Sequence, residues 1–126
     1  MSAKPPVVEE RLKEIVKWGE ATARHVEGMS FGAFLDDEKT QHAVSKCAEA
    51  VGEAAKDILE ADPEFDSSHS DLKLKLAARS RDRLAHGYRS VDLNVLWNTA
   101  TVSIPATTTA AKTILGQPGF VPKTKG

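Results

Sequence analysis

Arg81, His86 and Tyr88 put a cation, a titratable imidazole and a phenol within eight residues, Arg81-Asp82-Arg83-Leu84-Ala85-His86-Gly87-Tyr88. An arginine grips a phosphate through paired, charge-assisted hydrogen bonds. A histidine moves a proton near neutral pH. RNA supplies its own nucleophile, the 2′-hydroxyl. These groups therefore make a kit for cleaving a phosphodiester without a metal. Arg81 would carry the charge that builds on the phosphorus in the transition state, and His86 would act as acid or base.

The element that carries them constrains how they act. At about 100° per residue, a continuous helix places Arg81 and His86 roughly 140° apart. Either the helix stops near His86, or a second copy of the chain completes the site. Gly87 favours a stop, because glycine often sits just past a helix C-terminus. One histidine cannot easily be both base and acid in one step. A two-fold dimer would bring two histidines and two arginines to one cleft. By residue type alone, His86 is also a helix-end histidine favoured by the dipole. Tyr88 is likewise readable as a packing group with a satisfied hydroxyl.

The run Arg81 to Trp97, RDRLAHGYRSVDLNVLW, adds order to the residue types. It combines an arginine followed by a polar residue, a histidine five positions after the arginine, and a tyrosine two further on. Val91-Asp92 and Trp97 follow, and Phe31, Phe34, Asp36 and Val51-Gly52-Glu53-Ala54 lie upstream. Over residues 8–115 the chain resembles the HEPN superfamily, within it the HepT-like toxins of prokaryotic toxin–antitoxin pairs. It departs at His69-Ser70-Asp71, where the family often has Pro-Trp.

The resemblance implies an endoribonuclease toxin acting as a homodimer or higher oligomer, with paired motifs lining a cleft. Arg81 and His86 would be catalytic, and Asp82 and Glu53 supporting. It also implies a nucleotidyltransferase antitoxin that transfers AMP from ATP to Tyr88. The competing expectation is a non-catalytic RNA- or nucleotide-binding subunit partnering a nucleotidyltransferase, because folds are often kept while roles change. From residue type, Glu53 is more simply a solvated carboxylate than a partner of the motif arginine.

Net charge is −1, which argues against general nucleic-acid binding, but its distribution is uneven. Residues 71–89 carry six basic side chains against two acidic, Asp71 and Asp82. Lys73, Lys75, Arg79, Arg83 and Arg89 are therefore candidate RNA contacts around Arg81. His25, His42, His69 and His86 are too far apart in sequence for a zinc pattern, and Cys47 is the single cysteine. No metal and no cofactor is expected. A lone cysteine forms no internal disulfide, which fits a reducing cytoplasm. No apolar run is long enough to span a membrane, and Met1–Pro6 lacks the apolar core of a secretory signal.

The chain reads as one domain of all-α class: a four-helix up-and-down bundle with a short extra C-terminal helix. Residues 1–7 form a disordered leader, 8–115 the bundle and 116–126 a loose tail. The first helix runs from about Val8 to Glu27, with Leu12, Ile15, Gly19, Thr22, Ala23 and Val26 as its inner stripe. Gly28 stops it. Phe31 and Phe34 tuck under the helices as core. Asp36-Asp37 open the second helix, whose stripe includes Val44, Cys47, Val51, Ala54 and Ile58. Gly52 inside it implies close approach of another backbone. Residues 61–70 form a polar loop. Ser70 or Asp71 caps the motif helix, Leu72 to His86, with Leu72, Leu76, Ala77, Ser80 and Leu84 inward. After a Gly87–Val91 link, Asp92 starts a fourth helix, Pro105 breaks or bends it, and Thr107–Leu115 forms the extra one.

Overall fold

The computed structural model describes residues 4–86 and 92–116, without the side chains of residues 4–6 and 83–86. The elements among them are helical: α1 (Lys4–Val26), α2 (Phe31–Leu35), α3 (Glu38–Ala61), α4 (Pro63–Ser68), a 3₁₀ turn (Ser70–Leu72), α5 (Leu74–His86), α6 (Leu93–Asn98), a π turn (Thr99–Ser103) and α7 (Ile104–Leu115). They form the expected all-α bundle. α3 lies between α1 and α5, and α1 packs on α7 along another side. Arg11, in the first half of α1, donates to Asp57, in the last half of α3, at 2.9 Å. The two helices therefore run antiparallel.

α1 begins at Lys4, ahead of the expected Val8, so Pro5 and Pro6 stand in its first turn. Proline suits that place, because the first turn's N–H groups have no helical acceptor to lose. Val8, Leu12, Ile15 and Thr22 are buried, whereas Ala23 faces solvent. The Thr22 hydroxyl donates back to the Trp18 carbonyl at 2.8 Å, which lets a polar group sit in the core. Gly28 ends the helix with φ +72°, a backbone conformation that favours glycine.

Asp37 caps α3. Its carboxylate accepts from the Thr40 N–H at 3.0 Å and the Thr40 hydroxyl at 2.8 Å. Those two bonds, the backbone one first, hold the Asp37 carboxyl below its ordinary pKa. The α3 stripe is as expected: Val44, Cys47, Val51, Ala54 and Ile58 are buried. Phe34 is fully buried against the Trp97 ring at 5.0 Å, with Phe31 at 6.0 Å from the same ring.

The expected polar loop over 61–70 is instead helix α4, with Pro63 at its start. Phe65 accounts for the order. It is buried at the edge of the core, stacks on His69 at 4.1 Å, and so pins the turn. The motif helix begins at Leu74, and neither Ser70 nor Asp71 caps it. Leu72 and Leu74 are both fully buried, yet one helix would hold them about 200° apart. The chain resolves this conflict at Lys73, which takes the left-handed conformation with φ 53°. The break also resets the register of α5. Leu74 and Ala77 turn inward and Leu76 outward, 45% exposed. Arg81, four residues past Ala77, falls on the same inward stripe.

Asp92 caps α6 through the Asn94 N–H at 2.9 Å. Pro105 does not break the chain here. α6, the π turn and α7 follow one another without a gap, and Ile104 N–H bonds the Thr99 carbonyl five residues back. Proline has no N–H and crowds the carbonyl four residues before it, and the wider turn relieves that crowding. The extra C-terminal helix is thus the continuation of the fourth. The buried Thr107 hydroxyl donates to the Leu72 carbonyl at 2.9 Å, which ties α7 to the turn that launches α5. No helix among the described residues is long and apolar enough to cross a membrane.

Candidate active site

Gly52 decides where Arg81 goes. A Cβ at Gly52 would fall on the Cβ of Arg81 and lie 2.6 Å from the Ala77 carbonyl oxygen. Without it, the backbone of α5 presses onto α3, as the glycine implied. Arg81 leaves this contact 29% exposed. Its Nε donates to Glu53 Oε1 at 3.0 Å, and its Nη1 to Asp82 Oδ1 at 3.1 Å. Glu53 is therefore the partner of the motif arginine, and the simpler solvated reading is corrected. Being half exposed does not prevent pairing, because the α3–α5 approach brings the arginine to the carboxylate.

Lys56 also belongs to this cluster, and residue types around the motif did not single it out. Its Nζ lies 3.7 Å from Asp82 Oδ1. It is three residues past Glu53 and four past Gly52, so a helical wheel centred on that glycine would have found it.

α5 runs through Arg81 and stops at His86, its last residue, as Gly87 led one to expect. Asp82, Arg79 and Lys75 share one strip of this helix. Arg81 and Asp82 both reach α3, through Glu53 and Lys56. The Arg81 and His86 positions diverge by roughly 140° on one helix. The side chains of Arg83 and His86, and Tyr88 and Arg89 with the whole Gly87–Val91 link, lie outside the description. So does the tail past Gly116.

The basic strip divides. Lys75 and Arg79 are exposed on the Asp82 face of α5, and Lys75 reaches Asp66 of α4 at 3.8 Å. Lys73 stands apart, at the rim of an open hollow between the 3₁₀ turn and α7. Cys47 is buried core, and His25 and His42 are exposed. Among the described residues no three His, Cys, Asp or Glu side chains are grouped to hold a metal.

The model of the "Ribonuclease HepT-like" family matches residues 9–114. The probable ribonuclease HepT of Thermococcus cleftensis is 37% identical over 95 residues, which cover 75% of this chain and 84% of that protein. A candidate RNase of Caldanaerobacter subterraneus subsp. tengcongensis is 33% identical over 104 residues, 82% of this chain and 90% of its own length. A candidate RNase of Methanocaldococcus jannaschii is 31% identical over 96 residues, 76% of this chain and 71% of that protein. No solved structure matches significantly. With the family model spanning nearly all of the described bundle, this chain belongs to the HepT-like ribonuclease family.

Proposed function

We propose that this ribonuclease cuts RNA without a metal, at a composite site to which two chains contribute arginine and histidine. The observation that carries the reading is the divergence of Arg81 and His86 on one unbroken helix. Helix geometry spaces the two positions apart, and one histidine cannot easily be both base and acid in one step. Two chains meeting across the α5 helices would supply an arginine, a base and an acid to the same scissile bond. The base removes the 2′-hydroxyl proton, the oxygen closes on phosphorus, and the acid protonates the departing 5′-oxygen. The products are a 2′,3′-cyclic phosphate and a 5′-hydroxyl. Cleavage should persist in EDTA, and sedimentation at micromolar concentration should give at least twice the chain mass. Loss of activity in EDTA, or a clean monomer that cuts RNA, overturns the reading.

In the same proposal the chain is the toxin of a toxin–antitoxin pair, in the cytoplasm, and its partner is a nucleotidyltransferase that transfers AMP to Tyr88. The proximity of Tyr88 to His86 in sequence supports this. Each AMP would bring a negative phosphate and a bulky nucleoside to a cleft built for RNA phosphate, and could engage Arg81 itself. Coexpression with the partner should add AMP-sized mass increments to the peptide containing Tyr88. Tyr88→Phe should retain cleavage, lose the increments and resist neutralisation. If the partner silences the phenylalanine variant equally well, inhibition is by binding and Tyr88 has no part in it.

A further inference from the structure

The Asp82 carboxylate offers one oxygen, Oδ1, to two cations at once. Arg81 Nη1 donates to it at 3.1 Å, and Lys56 Nζ stands 3.7 Å away. An anionic oxygen held between a guanidinium and an ammonium is the arrangement a phosphate oxygen seeks. We propose that Lys56 and Arg81 together form the seat for a non-bridging oxygen of the RNA phosphate, and that Asp82 occupies this seat in the free protein.

Charge is the first argument. Arg81 touches two carboxylates, Glu53 and Asp82. Those three groups alone sum to one negative charge and would repel a phosphate. Lys56 adds a second positive charge beside that arginine. When RNA displaces the Asp82 carboxylate, two cations face the phosphate and Glu53 keeps its hold on Arg81 Nε.

Geometry is the second argument. At 3.7 Å the ammonium is in ion-pair range of Asp82 but beyond a hydrogen bond. Its donors can turn to a closer acceptor at little loss. Its side chain is 41% exposed, so an incoming phosphate reaches it. Lysine acts there as a point charge on a flexible stem, while Arg81, braced by Glu53, sets direction.

The inference rests on the reading of the chain as an RNA-cutting enzyme, and the test separates the two. The probe is a single-stranded RNA with 2′-O-methyl groups, which keeps the phosphates and removes the nucleophile. Its binding to the intact protein is followed by fluorescence anisotropy between roughly 50 and 200 mM salt. Lys56→Met should bind about tenfold more weakly, the loss of one charged hydrogen bond. Its slope of log affinity against log salt should be shallower by about 0.7, one phosphate contact on a single strand. Lys56→Arg should restore most of both. Asp82→Asn should bind more tightly than wild type, because the competing charge is gone. Lys46→Met, an exposed lysine ten residues earlier on α3, should match wild type. Wild-type affinity and slope in Lys56→Met, in a protein that still cuts RNA, overturn the two-cation seat alone. A wild-type protein that neither binds nor cuts RNA overturns the enzymatic reading and the seat with it.

Discussion

Arg81→Ala should stay folded and lose RNA cleavage by at least about 10²–10³-fold, the effect of deleting one well-placed donor to a transition-state oxyanion. The two readouts separate because the arginine contributes differently to each. Its pairs with Glu53 and Asp82 are partly exposed, so their loss costs the fold only about 1 kcal/mol. The charge developing on phosphorus has no comparable substitute, since Lys56, the second cation at the cluster, is a point charge without the arginine's paired donors. His86→Ala should be equally inactive, from loss of proton transfer. The composite site makes a further claim. A mixture of Arg81→Ala and His86→Ala chains, exchanged into heterodimers, returns one arginine and one histidine to the cleft from different chains. That mixture should cut faster than either variant alone but well below wild type, because the cleft then holds a single histidine for two proton transfers. If each chain holds a complete site of its own, every site in the mixture lacks one group and the mixture stays inactive.

The class of fold was legible because its signals are local. Asp37, Gly28 and Asp92 mark helix ends by chemistry that acts within a few residues, and the α3 stripe repeats at helical spacing. The register of the motif helix was not legible, for a reason that is also local but competitive. Leu72, Leu76, Ala77, Ser80 and Leu84 make an acceptable stripe, and so do Leu74, Ala77 and Arg81. Choosing between them required knowing that Leu72 and Leu74 are both buried, which only the left-handed turn at Lys73 permits. The same ambiguity concealed the ion pair. Composition cannot tell a solvated Glu53 from one facing an arginine on another helix. Gly52 held the missing information, since an internal glycine costs a helix about 1 kcal/mol and implies a neighbour. Which neighbour it is depends on contacts between residues nearly thirty positions apart. Phe65 gives no sequence signal, because one aromatic among polar residues carries no period.

Gly52→Ala should therefore do what a helix propensity scale forbids. In an isolated helix alanine is better than glycine by about 1 kcal/mol. Here the new Cβ meets the Arg81 Cβ and lies 2.6 Å from the Ala77 carbonyl. The carbonyl is backbone, so no side-chain rotation relieves the clash, and α5 must move off α3. Overpacking of this kind costs about 1–3 kcal/mol, which outweighs the gain. The expected result is a fall in Tm of roughly 5–10 °C. Activity should fall further than stability. Arg81 rides on the displaced segment, and an error of about 1 Å in a positioned group costs around a hundredfold in rate. Gly32→Ala is the control. It is also helical, but its added Cβ meets nothing nearer than the Ser30 hydroxyl at 3.9 Å. That variant should keep its activity and lose no stability. Thermal melts and cleavage rates of the two proteins decide the matter. A Gly52→Ala protein that melts higher than wild type and cuts RNA at the wild-type rate would mean that close helix approach is not what places Arg81.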